Sequence, residues 1–405
     1  MGPTAAGILV LNRFTWDILK HRDHLRRTLE SFSQPSRTKA SGLQPFVREP
    51  TALTTIQPLW HAAPLLPPLR IQPRAPRIMG SNLRQSNNLK HRSTKGGSEA
   101  PLPQRLPANS WDSHIHVVEE PSRYPLSTTA DYQPSKSHTL SDALAFTRTT
   151  GIHNVVLIQP SIYGYDNSCL LDSLRQLGPR RARGVVCFDA ATIDEETGQH
   201  GGDSVLSTWH QLGVRGVRLN LVSVPQELDA GELARMLHEY ADLIRDYGWV
   251  LELYIRMETM PDLATIVPSL GVKVCLDHIA NPKLPPRSSS PSSPSSSPLN
   301  PYDLVGFPAL ISLLEKGSTY VKISGPYRLS ADPQFHDVGA MVRELMRAGR
   351  ERLVFATDWP HTRFEGVDIA PFTEACLGWC AEADPDMAER LFRRNAEELW
   401  DVTAL

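Results

Sequence analysis

Residues 112–116 read Asp112-Ser113-His114-Ile115-His116, and they open the first segment of the chain that looks like a strand, 110–118. Side chains alternate faces along a strand, so His114 and His116 should share one face while Ile115 takes the other. Two imidazoles side by side at a strand end suit a metal, or a carbonyl that needs polarising. Read in isolation, two ordinary surface or core histidines are the commoner explanation.

Seven further apolar, β-branched runs follow: 154–159, 184–189, 214–220, 249–255, 272–278, 320–324 and 353–358. Amphipathic stretches separate most of them, among them 140–150, 166–177, 232–247 and 333–348. Continuous apolar strands alternating with helices imply a parallel sheet covered on both faces. Eight repeats favour an α/β fold of the closed (β/α)8 TIM-barrel type over an open doubly wound sheet. No glycine-rich phosphate fingerprint follows the first strand, which argues against a dinucleotide fold. A serine- and proline-rich insertion at 282–301 interrupts the rhythm after the sixth strand and reads as a low-complexity loop.

The charge is unevenly spread. Overall the 405 residues carry 42 Lys/Arg and 44 Asp/Glu, a net charge of -2. Residues 1–106 hold 16 basic and 5 acidic side chains, leaving 26 and 39 for the rest. Basic-surface arguments therefore belong to the leader alone, and the folded part is not expected to bind nucleic acid. Residues 1–107, rich in proline, serine and arginine, read as a disordered leader. Its basic first stretch resembles an organelle transit peptide, although Asp17, Asp23 and Glu30 count against a clean one. No apolar run is long enough to cross a membrane. The five cysteines, Cys169, Cys187, Cys275, Cys376 and Cys380, are odd in number and widely spaced. They indicate reduced thiols in an intracellular, cytoplasmic protein, with mitochondrial targeting as the alternative.

Barrel active sites lie at the carboxyl ends of strands. Titratable or polar groups fall there on nearly every run: His114 and His116, Gln159 and Ser161, Asp189, Arg218 and Asn220, Tyr254 and Arg256 on the first five. Asp277 and His278 close the sixth, Lys322, Ser324 and Arg328 surround the end of the seventh, and Asp358 and His361 close the eighth. Asp112 and Asp277 precede histidines and are expected to point away from the lumen as structural hydrogen-bonding groups. Asp189 could cap the helix that follows it. Cys187 and Cys275 read as core fillers.

The wording around these groups is distinctive. His-x-His at 114–116 is followed by Arg123-Tyr124-Pro125-Leu126, Asp131-Tyr132-Gln133-Pro134 and Gln159-Pro160-Ser161. Arg215-Gly216-Val217-Arg218-Leu219-Asn220, Asp277-His278, Lys322-Ile323-Ser324-Gly325 and Ala356-Thr357-Asp358-Trp359-Pro360-His361 come next, in order. Over residues 108–402 this pattern resembles the amidohydrolase-2 family, in particular its 2-pyrone-4,6-dicarboxylate lactonase branch. The resemblance implies an amidohydrolase barrel at 108–405 and a hydrolase that opens a lactone of a small carboxylated or sugar-derived substrate. It implies Asp358 as the general base for water, with His114, His116 and His278 polarising the carbonyl. Arg218 and Arg328 would grip substrate carboxylates, and Tyr132, Tyr254 and Ser161 would shape the pocket. His361 would orient Asp358. That division of labour suits ester hydrolysis, which needs a positioned base and donors aimed where negative charge develops. One departure bears on the substrate: a second arginine six residues after the strand-four arginine is replaced by Val224.

Metal-dependent members of the superfamily add a histidine or modified lysine from strand four or five, where this chain has Arg218 and Tyr254. No metal is therefore favoured, with zinc on His114, His116, His278 and Asp358 as the alternative. Two rival readings stand beside the lactonase: a zinc-dependent decarboxylase of an aromatic or muconate-type acid, and a catalytically silent binding barrel. The expected partner is a small-molecule substrate, with no nucleic acid or membrane, and the oligomeric state stays open.

Overall fold

The computed structural model describes residues 100–130, 132–193, 204–222, 228–285 and 299–402. The expectations for the leader as far as residue 99, for Val224 and for positions 286–298 of the insertion lie outside these residues.

Eight strands form one parallel sheet in sequence order. They are β1 (Trp111–Ile115), β2 (Asn154–Ile158), β3 (Ala182–Val186), β4 (Val214–Asn220), β5 (Val250–Tyr254), β6 (Val274–Leu276), β7 (Thr319–Ile323) and β8 (Leu353–Phe355). Every expected run overlaps a strand, with β3 lying two to three residues earlier than its run, and helices cover the outside. Local chemistry explains where the helices begin and end. The helix Leu140–Thr150 starts on a reciprocal Thr139/Asp142 capping box and stops at Gly151, whose φ of 80° suits glycine. Ala230–Ile244 uses the same device with Asp229 and Glu232.

The compact region starts earlier than residue 108. Leu102–Arg105 is a short helix and Leu106 is buried in the core.

The sheet closes on itself by a seam without a regular ladder. Between β1 and the residues after β8, His116 N donates to Trp359 O (2.8 Å) and Asp358 N donates to His114 O (3.0 Å). The buried Asp112 carboxylate accepts from the Thr357 amide (2.9 Å), from the Thr357 hydroxyl and from the His114 amide (3.1 Å). Burial drives the Asp112 pKa up to about 7, because the hydrogen bonds from Thr357 and His114 only partly offset the loss of solvation. Asp112 thus has the structural role expected of it.

The lumen is filled in layers. At the bottom Trp111, Val156, Val185, Val250, Cys275, Tyr320 and Val354 meet Leu399 and Trp400. Trp400 is the plug: it is fully buried, its indole donates to Ser113 Oγ (3.2 Å), and its carbonyl accepts from Arg183 Nε (3.1 Å). Among the described residues no helix is long and apolar enough to cross a membrane, and all five cysteines are free thiols. Cys275 fills the core as expected.

Truncating the plug should be costly. Trp400→Ala is expected to lower unfolding free energy by about 3–5 kcal/mol in denaturant titrations. A loss below about 1 kcal/mol would show that the floor is not sealed by this residue.

Candidate active site

Strand alternation and its interruptions decide what reaches the barrel mouth. The register of β1 against β2 shifts between Asp112 and Ile115. This irregularity lets Ser113 bond Trp400 inside the barrel while His114 and His116 also face inward. On β6, Cys275 faces the lumen, so two residues on Asp277 does too. This corrects the expectation for Asp277, which lies in the lumen, 2.9 Å from Arg218 Nε and 3.2 Å from Lys322 Nζ. His278 reaches the mouth for a different reason. Residues His278, Ile279, Ala280 and Asn281 all have left-handed φ, from 49° to 57°. A run of non-glycine residues there costs on the order of 1 kcal/mol each. It turns the imidazole inward, where Nδ1 meets Ser324 Oγ at 2.9 Å. Gly325, at φ 61°, leaves room for that ring: an added Cβ would sit 3.0 Å from His278 Nδ1.

Four groups converge at the mouth. His114 Nε2 lies 3.2 Å from His116 Nε2 and 3.6 Å from Asp358 Oδ1. His116 Nε2 and His278 Nε2 lie 3.8 and 4.0 Å from the same oxygen. The other carboxylate oxygen, Oδ2, accepts from Tyr327 OH (2.6 Å) and Arg328 Nε (2.7 Å). Asp358 itself stands at φ 64°, a strained setting that aims the carboxyl across the seam.

Beneath the imidazoles lies a second buried layer. Lys322 Nζ is 2.5 Å from Glu252, 3.2 Å from Asp277 and 3.1 Å from His114 Nδ1. Arg218 directs both Nε and Nη2 at one Asp277 oxygen, each at 2.9 Å. Glu252 and Tyr327 carry no expectation from the sequence. For Glu252 the signal was present, a carboxylate two residues before Tyr254 on an otherwise apolar strand; for Tyr327 there was none.

Burial, then the neighbours, set the ionisation. Desolvation pushes His114 well below its ordinary value, reinforced by the Lys322 ammonium. It lowers His116 to about 4 and lowers His278 as well, against the pull of Asp358 on both. All three rings are therefore neutral at pH 7. Burial opposes ionisation of Asp358, but the carboxyl is held far below the usual range, by the Arg328 guanidinium at pH 7 and by His278, His114 and His116 once acid protonates those rings. Burial and the Asp277 charge raise Glu252 to about 8, against the pull of Lys322. His116 Nδ1 faces the Ile158 carbonyl at 2.8 Å, and a carbonyl can only accept. Nδ1 therefore carries the proton, and Nε2 offers a lone pair to the centre.

His116, His278, Asp358 and Arg328 line a cavity of about 200 Å³, together with Tyr132, Ser161, Arg218, Tyr254, Thr362 and Arg363; His114 lies buried behind it. Its size suits a molecule smaller than a typical drug. A larger hollow of about 300 Å³ between Val267 and Lys316 holds one charged side chain and none of this chemistry. His114, His116, His278 and Asp358 meet as expected, and Arg218, Arg328, Tyr132, Tyr254 and Ser161 stand around the same cavity. Arg328 is already engaged by Asp358, and Arg218 by Asp277. Among the described residues, His361 meets the site through its ring against Tyr327 (5.4 Å) and its amide on the Asp358 carbonyl (2.8 Å). Asp189 accepts from the Ala191 amide (3.0 Å) as a local cap.

The donor set also fits a dication. Ligands about 2 Å from a tetrahedral ion stand roughly 3.3 Å apart, and the ligand atoms of His114, His116 and Asp358 all lie within 4.8 Å of one another.

Fold and site together define an amidohydrolase-type (β/α)8 barrel. The Amidohydrolase family model matches residues 111–402, and the chain belongs to that family. It is similar to the 4-sulfomuconolactone hydrolase of Hydrogenophaga intermedia, 26% identical over 274 residues, 67% of this chain and 81% of that one. It is also similar to the 2-pyrone-4,6-dicarboxylate hydrolase of Comamonas testosteroni, 26% identical over 64% of this chain and 78% of the other. A solved amidohydrolase from Burkholderia multivorans with bound zinc superposes with a TM-score of 0.53 over 73% of this chain and 100% of that one. At 16% identity it shows a likeness of fold alone.

The buried neutral rings make stability depend on pH. An unfolded imidazole takes its proton near 6.5, whereas His116 does so at about 4. Its contribution is complete above about 6.5 and is lost as pH falls towards 4, to a total of about 3 kcal/mol. Unfolding free energies at pH 7 and 4.5 should differ, and His116→Asn should flatten the slope. Equal slopes in both proteins would contradict the assignment.

Proposed function

We propose that the chain is a hydrolase that opens a small carboxylated lactone, with water activated by Asp358. The observation that carries this reading is the convergence of three neutral imidazoles on Asp358 Oδ1 while Oδ2 is held by Tyr327 and Arg328. The names of the relatives, both hydrolases of small anionic lactones or pyrones, support it.

The hydrogen-bond partners suggest a proton arrangement. Lys322 can only donate, so with Lys322 bonded to it His114 Nδ1 accepts and His114 Nε2 carries the proton. The Ser324 hydroxyl donates to His278 Nδ1, which leaves a proton on His278 Nε2 as well. The His278 Nε2–H then faces the lactone carbonyl oxygen and stabilises the charge it gains, while His114 Nε2–H donates to His116 Nε2 (3.2 Å). A water held by Asp358 Oδ1 attacks the carbonyl carbon. Asp358 takes its proton and returns it to the ring oxygen as the C–O bond breaks, leaving a ring-opened acid.

The resting pairs also tune the base. A carboxyl held as low as that of Asp358 is a weak base. A substrate carboxylate that draws Arg328 off Oδ2 removes the cation holding it down at pH 7, so the base strengthens as the site fills.

Charge balance favours a metal-independent reaction. Asp358, Asp277 and the mostly protonated Glu252 face Arg328, Arg218 and Lys322, so a dication would add uncompensated charge beside two guanidinium groups. If zinc is bound, His114, His116, His278 and Asp358 would hold it, and it would supply Lewis-acid polarisation of the carbonyl. The five unpaired thiols suit a reducing, cytoplasmic setting.

Asp358→Asn should lower lactone hydrolysis at least about a thousandfold with the fold intact by circular dichroism. Full activity of that variant on 2-pyrone-4,6-dicarboxylate or 4-sulfomuconolactone would sink the reading. Wild-type turnover should also survive exhaustive chelation, and a chelator-sensitive enzyme with stoichiometric zinc would overturn the metal-independent part.

A further inference from the structure

The mouth carries three guanidinium groups, and two are already committed. Arg218 spends both of its inward nitrogens on Asp277, and Arg328 is tied to Asp358 and, through Nη2, to the Thr362 carbonyl (3.2 Å). Arg363 differs. It lines the same cavity, its guanidinium stacks over the Tyr132 ring at 5.1 Å, and among the described residues it makes no ion pair. Its backbone sits at φ 68°, an unfavourable conformation for an arginine, where its amide donates to Glu365 (3.2 Å). Strain of this kind at a cavity rim points to a side chain whose position matters. Tyr132, half-buried, gives the long side chain a platform and limits the rotamers it must give up on binding.

We propose that Arg363 is a specificity-determining residue that takes the second negative group of a doubly anionic substrate, the first being taken by Arg328. This rests on the lactone-hydrolase reading above. The two arginines share one rim: Arg328 bonds the carbonyl of Thr362, the residue just before Arg363. A flat ring with two anionic substituents can therefore lie across the cavity, with one substituent beside Arg328 and the other over Tyr132. This assigns the second countercharge to the loop after β8, in a chain that has Val224 where an arginine was expected after β4. An exposed guanidinium can still discriminate, because a rim charge acts on encounter and on the choice of partner more than on the chemical step.

The test uses unreactive probes, isophthalate with two carboxylates and benzoate with one, titrated calorimetrically into the full-length protein. Wild type should bind isophthalate about tenfold more tightly than benzoate, and Arg363→Met should close most of that gap without weakening benzoate. Arg363→Lys should restore part of it. In turnover assays on 2-pyrone-4,6-dicarboxylate, Arg363→Met should raise KM while kcat changes less than about twofold. An unchanged preference in Arg363→Met, equal weakening of both probes, or no preference in wild type would each overturn the proposal. If wild type shows the preference and Arg363→Met loses it, yet no lactone is opened, the hydrolase reading fails and the anion site stands.

Discussion

The contact between Lys322 and the two carboxyl groups of Glu252 and Asp277 underlies the whole site. All three side chains are fully buried, and a charge at that depth is tolerated only when it is paired. Lys322 touches His114 directly, and Asp277 fixes Arg218. Removing Asp277 would leave Lys322 and Arg218 short of their buried countercharge, a change that typically costs about 3–5 kcal/mol. The imidazoles therefore rest on a polar layer with little freedom to move. The apolar floor under it, sealed by Trp400, excludes water that would otherwise weaken these interactions.

A second constraint comes from how the barrel closes. The β8–β1 seam is held by a few backbone bonds and by Asp112, and it is there that His114, His116 and Asp358 meet. A regular ladder would have fixed the side chains of β1 to strict alternation. The irregular register instead allows Ser113 to reach the floor and His114 the mouth. Strained φ values at Asp358 and at His278–Asn281 add to the same pattern. Stability is spent locally so that ring nitrogens and a carboxylate share one small volume, and the apolar core around β1–β8 supplies it.

Much of this was legible in the sequence. All eight strands announce themselves as apolar runs, and the histidines and Asp358 fall at their ends because β/α barrels place polar groups there. Asp277 points inward by strict alternation from Cys275, and it is His278, beyond the end of β6, that breaks the pattern. Glu252 could have been found by the same counting back from Tyr254. Tyr327 could not, because its contact with Asp358 depends on a short helix after Gly325. The engagement of Arg328 by Asp358 was equally hidden, since pairing across 30 residues leaves no periodic trace.

The central claim is that three uncharged imidazoles face one carboxylate, with their protons set by the partners behind them. Nitrogen-15 NMR of labelled histidine side chains at pH 7, assigned with single His variants, measures this directly. The account predicts that His114, His116 and His278 are all neutral, with His116 protonated on Nδ1 and the other two on Nε2. A doubly protonated ring among them, or His116 carrying its proton on Nε2, would contradict it.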